Sequence, residues 1–175
     1  MNEEALKYPI GKFAPQDSYS KDELSHSIER ISTLPYRMES LIRAFTAKQF
    51  DTPYREAGWT GRQVLHHIAD SHMNAYIRFK WTLTENTPTI KAYNEKLWAE
   101  TPDVKQDPLI SFELLKALHV KWVSLLKGMT HDDFKKEYLH PETKKNNRLD
   151  RVTAMYAWHG DHHLGHLKII ADKLN

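Results

Sequence analysis

Apolar side chains recur at steps of three and four along four stretches of this chain, the spacing that gathers them on one face of an α-helix. The first stripe is Leu24, Ile28, Ile31, Pro35, Met38, Ile42 and Phe45. It opens at Ser20-Lys21-Asp22-Glu23, a capping box in which serine and glutamate side chains reach each other's free backbone amides. Pro35 predicts a kink or break, because proline brings no N–H to the preceding turn. The second stripe, Val64, Ile68, Ser71, Ala75 and Phe79, follows a capping box formed by Thr60 and Gln63. The third, Phe112, Leu115, Leu118, Trp122, Leu125 and Met129, follows Asp107-Pro108, an N-cap acid with proline at the first helical position. The fourth begins near Asp150 and carries Val152, Tyr156, His159, His163, His166, Ile170 and Leu174.

The intervening segments lack such a period. Residues 1–19, with Pro9, Gly11 and Pro15, predict an extended arm on the surface. Phe50 to Trp59 is a loop. Residues 86–107 form the longest connection, a candidate wall or lid with a short helix near Asn94 to Glu100. Residues 130–148 predict one short helical turn and a polar loop. With four long amphipathic helices and no strand pair expected, the fold class is all-α, an antiparallel four-helix bundle forming one domain over residues 1–175.

Composition agrees and narrows the function. A chain of 175 residues with 40% hydrophobic content can bury one substantial core. Its 25 Lys and Arg against 23 Asp and Glu leave a formal charge of +2, too little to drive binding to nucleic acid or an anionic membrane. The absence of cysteine excludes disulfides, thiolate zinc sites, iron–sulfur clusters and a cysteine nucleophile. The N-terminal MNEEALKYPIGKF has no basic-then-apolar signal pattern, and no apolar run is long enough to span a bilayer. The expectation is a soluble, cytoplasmic protein acting on a small molecule.

Histidine is the exception to this ordinary composition. Seven of eleven fall in two short windows, 66–72 and 159–166, where even scattering would place about one. His159 and His163 are one turn apart at the centre of the last apolar stripe, so both face the core. His67 lies at the edge of the second stripe, whereas His66 points to the opposite side. Three inward imidazoles from two helices can hold one metal ion and leave a coordination position open, as catalytic sites do. Neutral imidazole suits zinc, nickel, copper or iron alike. The alternative is a set of hydrogen-bonded core histidines, at the cost of finding a buried partner for each ring. His166 shares the stripe and is a rival ligand. His162 lies off its centre and is expected to face solvent or to stand behind the ligands, and His26, His119, His131 and His140 are isolated and receive no chemistry.

The face that carries His67 continues as Ser71, Asn74 and Arg78. It is either a solvated flank or the wall of a substrate pocket in which Arg78 meets an anionic group and Asn74 contributes an amide. Asp70 is either a surface acid or an acid that orients an imidazole. Phosphate-cradling glycine loops, G-x-S-x-G, H-E-x-x-H and the Glu-x-x-His repeats of di-metal bundles are all absent, and no catalytic residue can be assigned.

The stretch DTPYREAGWTGRQVLHHIADSHMNAYIRFKWTLTENTP, the arm YPIGKF, the HPET loop and WHGDHHLGHL resemble the YfiT-like metal-dependent hydrolases of the DinB superfamily over essentially the whole chain. The resemblance implies a four-helix bundle with one zinc or nickel ion on three histidines. Carried over, these are His67 of HHIAD and His159 and His163 of HGDHH. It also implies a cytoplasmic homodimer. Some relatives have glutamine at the position of His166, which argues against His166 as an obligatory ligand. Similar proteins add bacillithiol, a low-molecular-weight thiol, to electrophiles. Three functions follow: a hydrolase activating water on the metal, a transferase using a thiol cosubstrate, and a non-catalytic metal-binding stress-response module.

Overall fold

A computed structural model describes residues 2–173; Leu174, the last position of the fourth stripe, lies outside them. Four long helices form the body: α2 (Lys21–Ile42), α4 (Gly61–Thr84), α6 (Pro108–Gly128) and α8 (Leu149–Lys173). Short helices fill the connections, namely α1 (Glu3–Lys7), α3 (Ala47–Phe50), α5 (Glu95–Trp98) and α7 (His131–Lys135), with a 3₁₀ turn at Pro102–Lys105. The four-helix bundle is as the stripes require. Both capping boxes form, Ser20 with Glu23 and Thr60 with Gln63, and the Asp107 side chain accepts from the Leu109 amide.

Around the bundle α2 packs on α6 and α8, and α4 packs on the same two. The core divides into two apolar clusters. Leu24, Ile28 and Ile31 of α2 share one with Ala75 and Phe79, Trp122 and Leu126, and Leu149, Val152 and Tyr156. Leu34, Met38 and Ile42 share the other with Val64, Leu65 and Ile68, Phe112 and Leu115, and Leu164, Leu167 and Ile170. Hence α2 and α8 run one way and α4 and α6 the other. The neighbours α4 and α6 are therefore parallel, and the chain between them must return the length of the bundle. That requirement accounts for the long connection at residues 85–107.

Four expectations are corrected. Pro35 does not break α2, which runs unbroken from Lys21 to Ile42; proline's missing N–H instead leaves the Ile31 carbonyl without its helical partner. The arm is not wholly extended, since Asn2 caps the short helix α1. Residues 137–148 are not a plain loop. They form an antiparallel hairpin of β1 (Glu137–His140) and β2 (Lys145–Arg148), with Tyr138 opposite Asn147. KNNR carries no apolar alternation, so nothing in the pattern marked it as a strand. Leu139 pins the long connection by exchanging backbone hydrogen bonds with Pro88 and Ile90. Finally, the buried stripe of α6 runs Phe112, Leu115, His119, Trp122, Val123 and Leu126 rather than through Leu118 and Leu125.

Two glycines set helix and arm spacing. A Cβ on Gly160 would lie 2.4 Å from Leu34 Cδ2, so its absence lets α8 approach α2 closely. A Cβ on Gly165 would lie 2.7 Å from Pro9 Cγ, where the N-terminal arm crosses α8.

Candidate metal centre

Between the two apolar clusters α4, α6 and α8 each contribute histidine at one level. The structure brings His67, His159 and His163 together, with one ring nitrogen from each within 4.8 Å of the others. His67 Nε2 faces His159 Nε2 at 3.2 Å. Two donors bound to one tetrahedral zinc at its usual bond length stand about 3.3 Å apart, so the spacing fits a shared ion. All three rings are held neutral, the form that ligates a metal. Burial lowers His67 to about 4, aided by the nearby His162, and burial lowers His159 and His163 well below the usual histidine value, aided by their neighbouring imidazoles.

His162, His163 and His166 form a second group of the same kind, sharing His163. His166 Nδ1 lies 3.3 Å from His163 Nδ1, and its Nε2 lies 3.3 Å from the Lys7 carbonyl oxygen. Tyr54 stacks on the His166 ring at 3.8 Å between centroids. His162 is buried between Trp158 and Tyr8 rather than open to solvent. His66 points away, as its position on α4 requires, and meets the Ser111 hydroxyl at 2.7 Å.

Two histidines that carried no expected role complete the layer. His72 Nε2 lies 3.1 Å from His159 Nδ1, and His72 Nδ1 lies 2.8 Å from His119 Nε2. His119 Nδ1 in turn lies 2.8 Å from the Ile31 carbonyl oxygen. Spacing offered a signal for His119, which stands between Leu115 and Trp122 at steps of four and three, a polar residue on a buried stripe. His72 offers the same signal, standing between Ile68 and Ala75 at steps of four and three, but the apolar stripe runs through its neighbour Ser71. Asp70, the candidate for orienting an imidazole, has no imidazole partner among the described residues. Partial burial raises its carboxyl to about 6, with Asp103 adding to the shift.

A cavity of about 690 Å³ opens on the three histidines, walled by Tyr54 and Trp59, by Glu95 and Lys96 of the long connection, and by Trp158. Gln63, which caps α4, also donates to the Ala99 carbonyl at 3.1 Å and so ties that connection to the site. A second cavity of about 600 Å³ shares His159 and Trp158 with the first and contains Ser71, Tyr93 and Arg78. Arg78 is buried. It reaches the Lys91 carbonyl at 3.3 Å and lies 5.9 Å from the Tyr93 ring centre, and its Nε has no hydrogen-bond partner among the described residues. Asn74 is not brought to either cavity; its amide donates to the Asp70 carbonyl one turn back.

A family model described as the DinB superfamily matches residues 30–167. The chain belongs to the DinB superfamily. Among its relatives, "Putative metal-dependent hydrolase YfiT" of Bacillus subtilis is 44% identical over 170 residues, 97% of this chain and 96% of the relative. A "Putative metal-dependent hydrolase" of Bacillus pumilus is 44% identical over 163 residues, 93% of each chain. The solved structure of YfiT from Bacillus subtilis, described as having an unusual four-helix bundle topology, superposes with a TM-score of 0.94 at 43% identity, covering 97% of this chain and 98% of that one. Among the described residues no helix is long and apolar enough to cross a membrane.

Proposed function

We propose that this protein is a metal-dependent hydrolase that holds one divalent ion, zinc or nickel, on His67, His159 and His163. The observation that carries the reading is the convergence of three neutral imidazoles at the floor of an open cavity. An ion so held supplies an open position that acidifies a water molecule or a thiol near neutral pH and polarises an electrophile. With only neutral imidazoles as protein ligands, its positive charge is undiminished, which suits anionic or electron-rich ligands. Arg78 supplies the second cation, on the far side of His159, and orients an anionic group of the substrate. Trp59, packed 4.6 Å from the His67 ring centre, and Trp158 shield the polar floor from bulk water.

A specific observation supports a second reading, transfer of a low-molecular-weight thiol to an electrophile. The two cavities meet at His159, which gives room for two molecules, and a chain without cysteine cannot provide the sulfur itself. Exposed Leu109, Ile110, Leu114 and Val120 along α6 favour a homodimer. The composition suits a cytoplasmic enzyme.

The test combines metal analysis with turnover. Protein purified with added zinc or nickel is expected to hold one ion per chain and to lose it in His67→Ala, His159→Ala and His163→Ala, while His66→Ala retains it. Hydrolysis of ester or amide substrates without thiol supports the first reading, and turnover only with added thiol supports the second. A folded His163→Ala protein with full metal content would overturn the site.

A further inference from the structure

A metal ligand must present a lone pair at the correct ring nitrogen, and a neutral imidazole has one lone pair and one N–H. Which nitrogen carries the proton is set by the partner of the other. Resting on the metal site above, we propose that two rows of hydrogen-bonded histidines, each ending on a backbone carbonyl, fix the tautomers of the two α8 ligands: His159–His72–His119–Ile31 carbonyl, and His163–His166–Lys7 carbonyl. His72, His119 and His166 are positioning residues that hold the Nε2 lone pairs of His159 and His163 toward the ion.

The direction of each row follows from its end. A carbonyl oxygen only accepts, so the contact at 2.8 Å from the Ile31 oxygen makes His119 the donor through Nδ1. The remaining nitrogen, His119 Nε2, then carries the lone pair and accepts from His72 Nδ1 at 2.8 Å. His72 Nε2 is left to accept from His159 Nδ1 at 3.1 Å. With its proton on Nδ1, His159 has its lone pair on Nε2, the nitrogen that faces His67. Reversal at any ring would bring two lone pairs together inside a layer where His72, His119 and the clusters on either side exclude water. The second row works in the same way. His166 donates through Nε2 to the Lys7 oxygen and accepts through Nδ1 from His163 Nδ1, both at 3.3 Å, which leaves His163 Nε2 for the ion.

Both terminal carbonyls are free because of the helices that carry them. In a regular helix the Ile31 oxygen would accept from residue 35, but that residue is Pro35, which has no N–H. Lys7 is the last residue of α1, where carbonyls have no partner further along the helix. The proline within α2 and the end of the N-terminal helix thus serve one purpose, to supply an acceptor at the far end of a histidine row. The second row also ties the arm to the site, reinforced by Pro9 against Gly165 and by the Trp158 indole donating to the Gly11 carbonyl at 3.2 Å.

Ring nitrogen-15 spectra of the full chain test this directly, first metal-free and then loaded with zinc. The expected pattern is protonated Nδ1 on His72, His119, His159 and His163 and protonated Nε2 on His166, unchanged by zinc. Protonated Nε2 on His72 or His159 would overturn the first row, and protonated Nδ1 on His166 the second. By competition with a chelator, zinc affinity is expected to fall about 10- to 100-fold in His119→Phe and His166→Leu. His166→Gln should retain most of it, since an amide can donate to Lys7 and accept from His163. Unchanged affinity in folded His119→Phe and His166→Leu would overturn the positioning role. The tautomers are measured without metal, so a wild-type chain that binds no zinc would defeat the metal site while the spectra still decide the rows.

Discussion

On either side of the histidine layer the bundle interior is hydrocarbon and aromatic ring, closed around Phe79 and Trp122 at one end and around Leu65, Ile68 and Leu167 at the other. Within the layer α4, α6 and α8 meet through ring nitrogens and α2 through the Ile31 carbonyl, with His72, His119 and His166 as fully enclosed as the leucines. The apolar ends gain stability in proportion to the area they remove from water, and no direction is attached to it. The layer gains little from burial as such, because each polar ring must recover inside the protein the hydrogen bonds it gave up outside. What burial does provide is neutrality. Rings that cannot carry a proton are ready to ligate an ion, and protons are the natural agent for setting the layer against the two ends.

Acid should therefore have the largest effect. His67 and His119 are lowered to about 4 by burial and His166 to about 3, against an ordinary value of 6.5. Below pH 6.5 the unfolded chain takes up protons that these rings refuse in the folded state, so stability falls with pH until the folded rings themselves titrate. Each such ring contributes up to about 3 kcal/mol of loss by pH 4, and several together exceed the stability of an ordinary domain. Metal-free protein is expected to be most stable above about pH 6.5 and to unfold before pH 4. Thermal melts across that range check this, and His119→Phe should lower the slope of stability against pH by up to one proton. A flat profile would show that the rings are charged, and the layer open to water, in the folded state.

Truncation at an apolar end should be next in size and opposite in kind. Phe79 is fully buried and meets Trp122 edge-on at 5.6 Å. Phe79→Ala is expected to cost about 3–5 kcal/mol, the usual range for deleting a buried ring. Zinc affinity of the folded protein should be unchanged. Chemical denaturation and zinc titration on the same sample separate the two, and a variant that lost affinity along with stability would show that the ends and the layer are not independent.

The same contrast explains what could be read from the sequence. Apolar ends write a period into the chain, so the four helices, the capping boxes of α2 and α4 and the inward faces of His67, His159 and His163 were legible, while the apolar period of α6 points to Leu118 and Leu125 in place of the buried His119. A hydrogen-bonded row places its members on those stripes, as His72 and His119 are, but writes nothing of which ring meets which, because they need only meet in space. His72 and His119 are 47 positions apart and come from helices whose lateral order no stripe reveals. Pro35 was legible only as a defect, since its value lies in an acceptor it leaves unpaired on Ile31 for a third helix to use. The hairpin at residues 137–148 was missed for a related reason: only Tyr138 is buried, and its register is held by backbone pairing and by contact with the long connection.

The smallest effect is expected outside the layer, where α2 and α8 are clamped beside it. Asp161, between His159 and His163 in sequence, contacts Arg30 and Arg37 of α2, each at 2.7 Å. Both arginine side chains are about a third exposed, so water and salt weaken the attraction. Asp161→Asn should accordingly cost no more than about 1 kcal/mol, a difference that shrinks as salt is raised. The rings of His159 and His163 are set from inside by their neighbours, and the close approach of Gly160 to Leu34 already fixes how near α8 lies to α2. Zinc affinity in the variant should therefore equal that of the wild-type protein. A marked loss of affinity with little loss of stability would instead make the outer ion pairs part of the machinery that aims the α8 ligands, and the histidine rows would no longer suffice to hold them.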